Sequence, residues 1–152
     1  MFNGIVEATG YIENVQADEG CKHFIIRSTT LFSDIHINDS IAVNGVCLTV
    51  THIEGFIFHV TAVPETLRLT NLDVLTIGSS VNLERAMQYH ARVSGHYSQG
   101  HVDGMGKILA IQQEGAALIV KIGLSTSLTK YIVNKGYITL DGMSITVIQT
   151  MP

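Results

Sequence analysis

GIVEATGYIENV (Gly4–Val15) and GHVDGMGKILAI (Gly100–Ile111) share one pattern: Gly, any, Val, acid, any, any, Gly, any, Ile. A second pair follows in the same order, SIAVNGVCLTVT (Ser40–Thr51) and YITLDGMSITVI (Tyr137–Ile148). The offsets are 96 and 97 residues. Two separated blocks at almost the same offset mark a duplicated module. Within each block the apolar residues alternate, which is the period of a half-buried strand. Asn44-Gly45 and Asp141-Gly142 break the alternation. Both dipeptides suit a two-residue hairpin turn, because both positions tolerate positive φ.

The same reading extends outward. FIIRS (Phe24–Ser28), FIFHVTAV (Phe56–Val63), KILAI (Lys107–Ile111) and AALIVKIGL (Ala116–Leu124) are β-branched or aromatic runs bounded by turn formers. Glu54-Gly55 is a further turn. Helical signals are short. PETLRLTNL (Pro64–Leu72) carries Pro in its first turn. STSLTKYIVNKG (Ser125–Gly136) opens on a Ser/Thr cap and closes on Gly. The sequence predicts an all-β chain of duplicated barrel modules with short helices bridging strands. The expected division is a first module over 1–88, a linker over 89–95 and a second module over 96–152.

The two copies are unequal. After Thr51 the first runs on through FIFHVTAV, PETLRLTNL and SSVNLERAM, whereas after Ile148 only Gln149 to Pro152 remain. A barrel lacking those strands exposes sheet edges. Either another subunit completes it or the sequence is part of a longer chain, and the second is the expectation.

Composition narrows the function classes. The chain has 152 residues, with Lys and Arg totalling 9 against 13 Asp and Glu, for a net charge of −4. Sequence-independent nucleic-acid binding needs basic residues to displace counterions, so the charge balance argues against it. A nucleic-acid-binding barrel would also need aromatic residues along a basic groove, and none is evident. No apolar run reaches the ~18 residues of a spanning helix. MFNGIVE has no basic segment and carries an acid, unlike a secretory leader. Cys21 and Cys47 form no disulfide framework and read as free thiols. A cytoplasmic protein without membrane contact is expected.

Cys47 aligns with Ser144, and Thr49 with Thr146 two residues on. Each pair therefore faces one side of its strand. A cysteine there could be a nucleophile or a small buried hydrophobe. Seven histidines occur, at 23, 36, 52, 59, 90, 96 and 101. No Cys or carboxylate completes a metal set at typical zinc spacing, so no metal is expected.

These segments resemble the riboflavin synthase family, the lumazine-binding alpha-chain type. MFNGIVEATG, NGVCLTVT, PETLRLTNL, VNLERAM, GHYSQGHVDGMG, KYIVNKG and LDGMSITV all look like family segments, in family order. The resemblance spans the whole chain and lacks the family's C-terminal part. It implies two tandem six-stranded antiparallel Greek-key barrels, the second incomplete here. It also implies a transferase of riboflavin biosynthesis. Two molecules of 6,7-dimethyl-8-ribityllumazine exchange a four-carbon unit to give riboflavin and 5-amino-6-(ribitylamino)uracil, with no cofactor. The family assembles as a homotrimer, and its productive site lies between the first barrel of one subunit and the second of its neighbour. A non-catalytic lumazine- or flavin-binding protein of the same fold is the alternative.

Residue roles follow from the resemblance. Catalysis falls to Cys47, His101, Ser144, Thr146 and Phe2. Substrate contacts fall to Gly4, Ile5, Val6, Ser40, Cys47, Leu48 and Thr49. They continue through Thr61, Ala62, Val63, Pro64, Glu65 and Thr66, where hydroxyls and a carboxylate suit a polyol. The second half-site is expected to hold Gly100, His101, Val102, Lys135, Ser144, Ile145 and Thr146. His101 is a candidate proton carrier, and His96 is expected near the same site. Asp141 serves its turn or flanks that half-site.

Overall fold

The computed structural model describes residues 1–151, so Pro152, the last residue of the expected second module, lies outside the described residues. The described residues form ten strands and a few short helices. The first six strands are β1 (Ala8–Asp18), β2 (Cys21–Ser28), β3 (Ser40–Val43), β4 (Val46–Glu54), β5 (Ile57–Ala62) and β6 (Ser80–Arg85). They close into an antiparallel barrel in the order β1-β2-β5-β4-β3-β6. Closure leaves none of these six strands with a free sheet edge.

Alternation places the core. In β2, Phe24, Ile26 and Ser28 turn inward while His23 and Arg27 turn out. Ile12, Ile41, Val43, Val50, Phe58, Val60 and Leu83 meet Phe24 and Ile26 inside, each at most 2% exposed. Each such side chain contributes about 1.5–3 kcal/mol relative to an exposed one. A bulge between Ile12 and Asn14 bends β1, as barrel closure requires. Outside, Arg85 ties the barrel wall together through Glu7 at 2.9 Å and through Asp34.

The second half holds β7 (Lys107–Glu114), β8 (Ala117–Gly123), β9 (Tyr137–Leu140) and β10 (Met143–Thr146). They form two separate hairpins, β7–β8 and β9–β10. The duplication shows in detail, since β7 carries its own bulge between Ile108 and Ala110, 96 residues after the bulge in β1. Among the described residues, no residue of β7 is buried. The equivalents of β5 and β6, which join the two hairpins of the first module, have no counterpart among the described residues.

The helices differ from the sequence expectation. Pro64–Leu72 does not run as one helix: α1 (Pro64–Leu69) stops at Thr70, and a 3₁₀ turn continues over Asn71–Val74. Thr70 takes an extended backbone and its hydroxyl accepts from the Leu72 N–H, capping the new turn. Ser125–Gly136 yields only α2 (Thr126–Thr129), which buries no residue and so gains little from packing.

Candidate functional site: two half-sites closed by exchanged segments

The Asn44-Gly45 and Asp141-Gly142 turns have positive φ at both residues of each. They pack tip to tip: a Cβ built on Gly45 would lie 2.7 Å from the Gly142 nitrogen. Asn82 secures the meeting by donating its side-chain amide to the Asp141 carbonyl at 2.8 Å, and Asn71 donates to the Asp141 carboxylate at 3.0 Å. Burial raises the Asp141 pKa, partly opposed by the Asn71 bond. Asp141 thus serves the turn and the contact between modules together.

Around this junction the segment leading into each module crosses to the other. The Cys47 N–H donates to the Gly100 carbonyl at 2.9 Å, and the Ser144 N–H donates to the Gly4 carbonyl at 2.7 Å. Phe2 and Ser98 exchange backbone hydrogen bonds at 2.8 and 3.0 Å. Gly4 and Gly100 have φ of +70° and +74°. A Cβ on Gly100 would fall 2.6 Å from that of Cys47, and one on Gly4 would fall 2.8 Å from that of Ser144. Only glycine fits both the backbone and the space.

The structure therefore corrects the grouping expected from chain order. Gly100, His101 and Val102 precede β7, yet they lie over Cys47 of the first module, where Val102 packs on the barrel core. Gly4, Ile5 and Val6 precede β1, yet Gly4 lies on Ser144 of the second. Phe2 is 1% exposed, so the start of the chain is anchored.

On the first side, Cys47 is half-buried and Thr49 is exposed on the outer face of β4. Ser40 is the cross-strand neighbour of Thr49. Val63, Pro64, Glu65 and Thr66 lie where β5 passes into α1, and Glu65 pairs with Arg68. Leu48 and Ala62 differ from the other expected ligand residues. Their side chains are 5% and 0% exposed inside the barrel, because alternation turns them away from Cys47, Thr49 and Thr61. Thr61 accepts or donates a bond to His23 at 2.9 Å and borders a cleft of about 190 Å³ shared with Gln16, Thr51 and His59.

On the second side, the Ser144 hydroxyl bonds His96 Nδ1 at 2.7 Å. His96 Nε2 bonds the Thr139 hydroxyl at 2.9 Å, and the ring stacks on Tyr137 at 4.4 Å and 27°. Burial lowers the His96 pKa, which favours the neutral ring. A neutral imidazole has one donor and one acceptor nitrogen, and two hydroxyls can satisfy both. Thr139 and Tyr137 escaped the sequence reading, because their role depends on where His96 is carried. Lys135 has φ of +63° and donates its backbone N–H to Val147 at 2.8 Å. Ile145 and Thr146 are exposed on β10.

Among the described residues, no group of three or more His, Cys, Asp or Glu is placed to hold a metal, and no helix is long and apolar enough to cross a membrane.

The lumazine binding domain model matches residues 3–86 and 99–151. Riboflavin synthase of Bacillus subtilis is 45% identical over 147 residues, covering 97% of this chain and 68% of that protein. Riboflavin synthase of Schizosaccharomyces pombe is 45% identical over 150 residues, covering 97% and 72%. Among solved structures, LumP complexed with 6,7-dimethyl-8-(1'-D-ribityl) lumazine superposes with a TM-score of 0.86 at 22% identity, covering 100% of this chain and 82% of that one. LumP complexed with riboflavin gives 0.85 at 24% identity, covering 96% and 79%. LumP shares the fold, and the identity to the two synthases over nearly the whole chain is high enough to assign kinship: the protein belongs to the riboflavin synthase family and is built from its lumazine-binding domain.

Proposed function

We propose that the chain works as a riboflavin synthase, dismutating two molecules of 6,7-dimethyl-8-ribityllumazine to riboflavin and 5-amino-6-(ribitylamino)uracil. The observation that supports this best is the reciprocal exchange at Cys47–Gly100 and Ser144–Gly4. The reaction needs two copies of one substrate in opposed roles, and two related half-sites supply that. Holding both copies replaces a bimolecular encounter, which is worth up to roughly 7–11 kcal/mol in favourable cases. In this reading the units are 1–88 and 96–152, with 89–95 between them. The first half-site of one subunit faces the second of a neighbour in a cytoplasmic homotrimer.

The half-sites differ as opposed roles require. The first offers the Cys47 thiol, His101, and Ser40, Thr49, Thr61, Glu65 and Thr66 for the ribityl hydroxyls. The second offers a hydroxyl at Ser144 bonded to the His96 imidazole, whose neutral form burial favours. That pair can accept a proton from a ring methyl or direct an attacking oxygen. Thr146, Lys135, Ile145 and the exchanged Phe2 and Gly4–Val6 complete it. No metal or organic cofactor enters the scheme.

The test is to mix the purified chain with 6,7-dimethyl-8-ribityllumazine and follow riboflavin by absorbance and fluorescence. Riboflavin formation supports the synthase. Saturable binding without riboflavin supports the second reading, a lumazine- or flavin-binding protein of the same fold. A folded chain that neither binds nor converts the lumazine would overturn both.

A further inference from the structure

Glu84 lies on β6 with 4% of its surface exposed. A carboxylate this buried requires compensating hydrogen bonds. Its two oxygens accept the backbone N–H groups of Asn3 at 2.6 Å and Gly4 at 3.1 Å. The buried Oδ1 of the Asn3 side chain has no hydrogen-bond partner. The opposite edge of the same two residues belongs to the second module. The Asn3 carbonyl accepts from the His96 N–H at 3.1 Å, and the Gly4 carbonyl accepts from the Ser144 N–H at 2.7 Å. Two consecutive residues are thus held by their N–H groups on one module and by their carbonyls on the other. Burial raises the Glu84 pKa while these N–H groups pull it back, as expected of a carboxylate kept in place by backbone donors.

We propose that Glu84 is a positioning residue: it suspends Asn3 and Gly4 between β6 and Ser144, and so delivers Phe2 and Gly4–Val6 to the second half-site. What that half-site binds rests on the proposed function. The clamp itself does not.

The experiment uses the full chain and compares wild type with Glu84→Gln by amide NMR. Glutamine keeps the shape but turns one acceptor into a donor facing an N–H. Bonds to a charged group are worth about 1.5–3 kcal/mol, so exchange at Asn3 and Gly4 is expected to quicken roughly ten-fold or more while Phe24 and Val60 keep their protection. On adding 6,7-dimethyl-8-ribityllumazine, wild type is expected to shift the amides of Gly4–Val6 and Ser144–Thr146 as well as Cys47 and Thr49. In Glu84→Gln only the Cys47 and Thr49 shifts should survive, a split that a general loss of stability would not produce. If Glu84→Gln fails to fold, Asn3→Pro removes one donor from outside the barrel and should loosen Gly4 and Ile5 in the same way.

Unchanged exchange at Gly4 would overturn the clamp. A loosened segment with Ser144 shifts intact, or wild-type shifts confined to Cys47 and Thr49, would overturn its service to the site. A wild-type chain with no ligand shifts anywhere breaks the proposed function instead, and the exchange rates still decide the clamp.

Discussion

Among the described residues, the two copies of one module differ in how far their strands close. In the first, β5 lies between β2 and β4, β6 lies between β1 and β3, and a closed core results. In the second, the same two hairpins stand apart, and Ile108, Leu109, Ile111 and Leu118 are each more than half exposed. The local pattern is alike in both, down to the bulge and the turn. A hairpin is therefore written locally, whereas a barrel core needs all of its walls. The two exchanged backbone bonds are spared this difference, because they use parts that both copies possess: the leading segment, the Gly, and the strand after the two-residue turn. Asn71, Asn82 and Glu84 brace the contact from the first copy alone.

The sharpest way to break this contrast is a pair of core truncations. Phe24→Ala is expected to cost about 3–5 kcal/mol, the usual loss for a buried aromatic. Ile111→Ala, at an exposed position of β7, should cost less than about 0.5 kcal/mol. Urea unfolding followed by a barrel probe would compare them. Similar losses would mean that Ile111 is covered in solution.

The exchanged glycines come next. Gly100→Ala places a Cβ on Cys47 at positive φ, and Gly4→Ala does so on Ser144. Each should cost about 2–4 kcal/mol from left-handed backbone and overlap together. Lumazine titration should show Gly100→Ala damaging the Cys47 side and Gly4→Ala the Ser144 side. Damage in the reverse assignment would contradict the exchange.

Histidine 96 gives a smaller, pH-dependent effect confined to the second module. Its folded pKa lies below the ordinary value because of burial. An unfolded histidine takes up its proton near pH 6.5. The neutral ring's contribution is therefore complete above about pH 6.5 and is lost as the pH falls from there toward the lowered folded value. An NMR titration of the His96 ring should show the low midpoint, and His96→Gln should abolish this dependence at the Ser144 amide while leaving barrel amides unchanged.

The smallest stability effect is expected from Cys47→Ser, which installs the residue its counterpart carries. At a half-buried strand position the change should stay within about 1 kcal/mol. The variant sharpens the functional side of the comparison. Unchanged turnover would remove the thiol from the chemistry, and a loss of turnover with binding intact would place it there.

Much of this was legible along the chain. Phe24, Ile26, Val50 and Val60 announce their inward faces by alternation, and Asn44-Gly45 and Asp141-Gly142 announce their turns. Glu19-Gly20, with φ of +49° and +82°, makes the same kind of turn between β1 and β2 and carries the same acid-glycine signal. Leu48 and Ala62 show the limit of reading a site as a continuous stretch. Neighbours in a strand face opposite ways, so a run of expected ligand residues divides between the outer surface and the core.

Short-range chemistry wrote the period of two, the positive-φ dipeptides, the duplication and the kinship it carries into the order of residues. Folding in three dimensions settled which module each leading segment crosses to, where His96 comes to rest, and that Glu84 holds Asn3 and Gly4. Those outcomes depend on hydrogen bonds between residues some 50 to 140 positions apart. No periodicity encodes such a bond. It exists only once closure of the first barrel has brought the backbone of Gly4 and the turn at Gly142 to the same place.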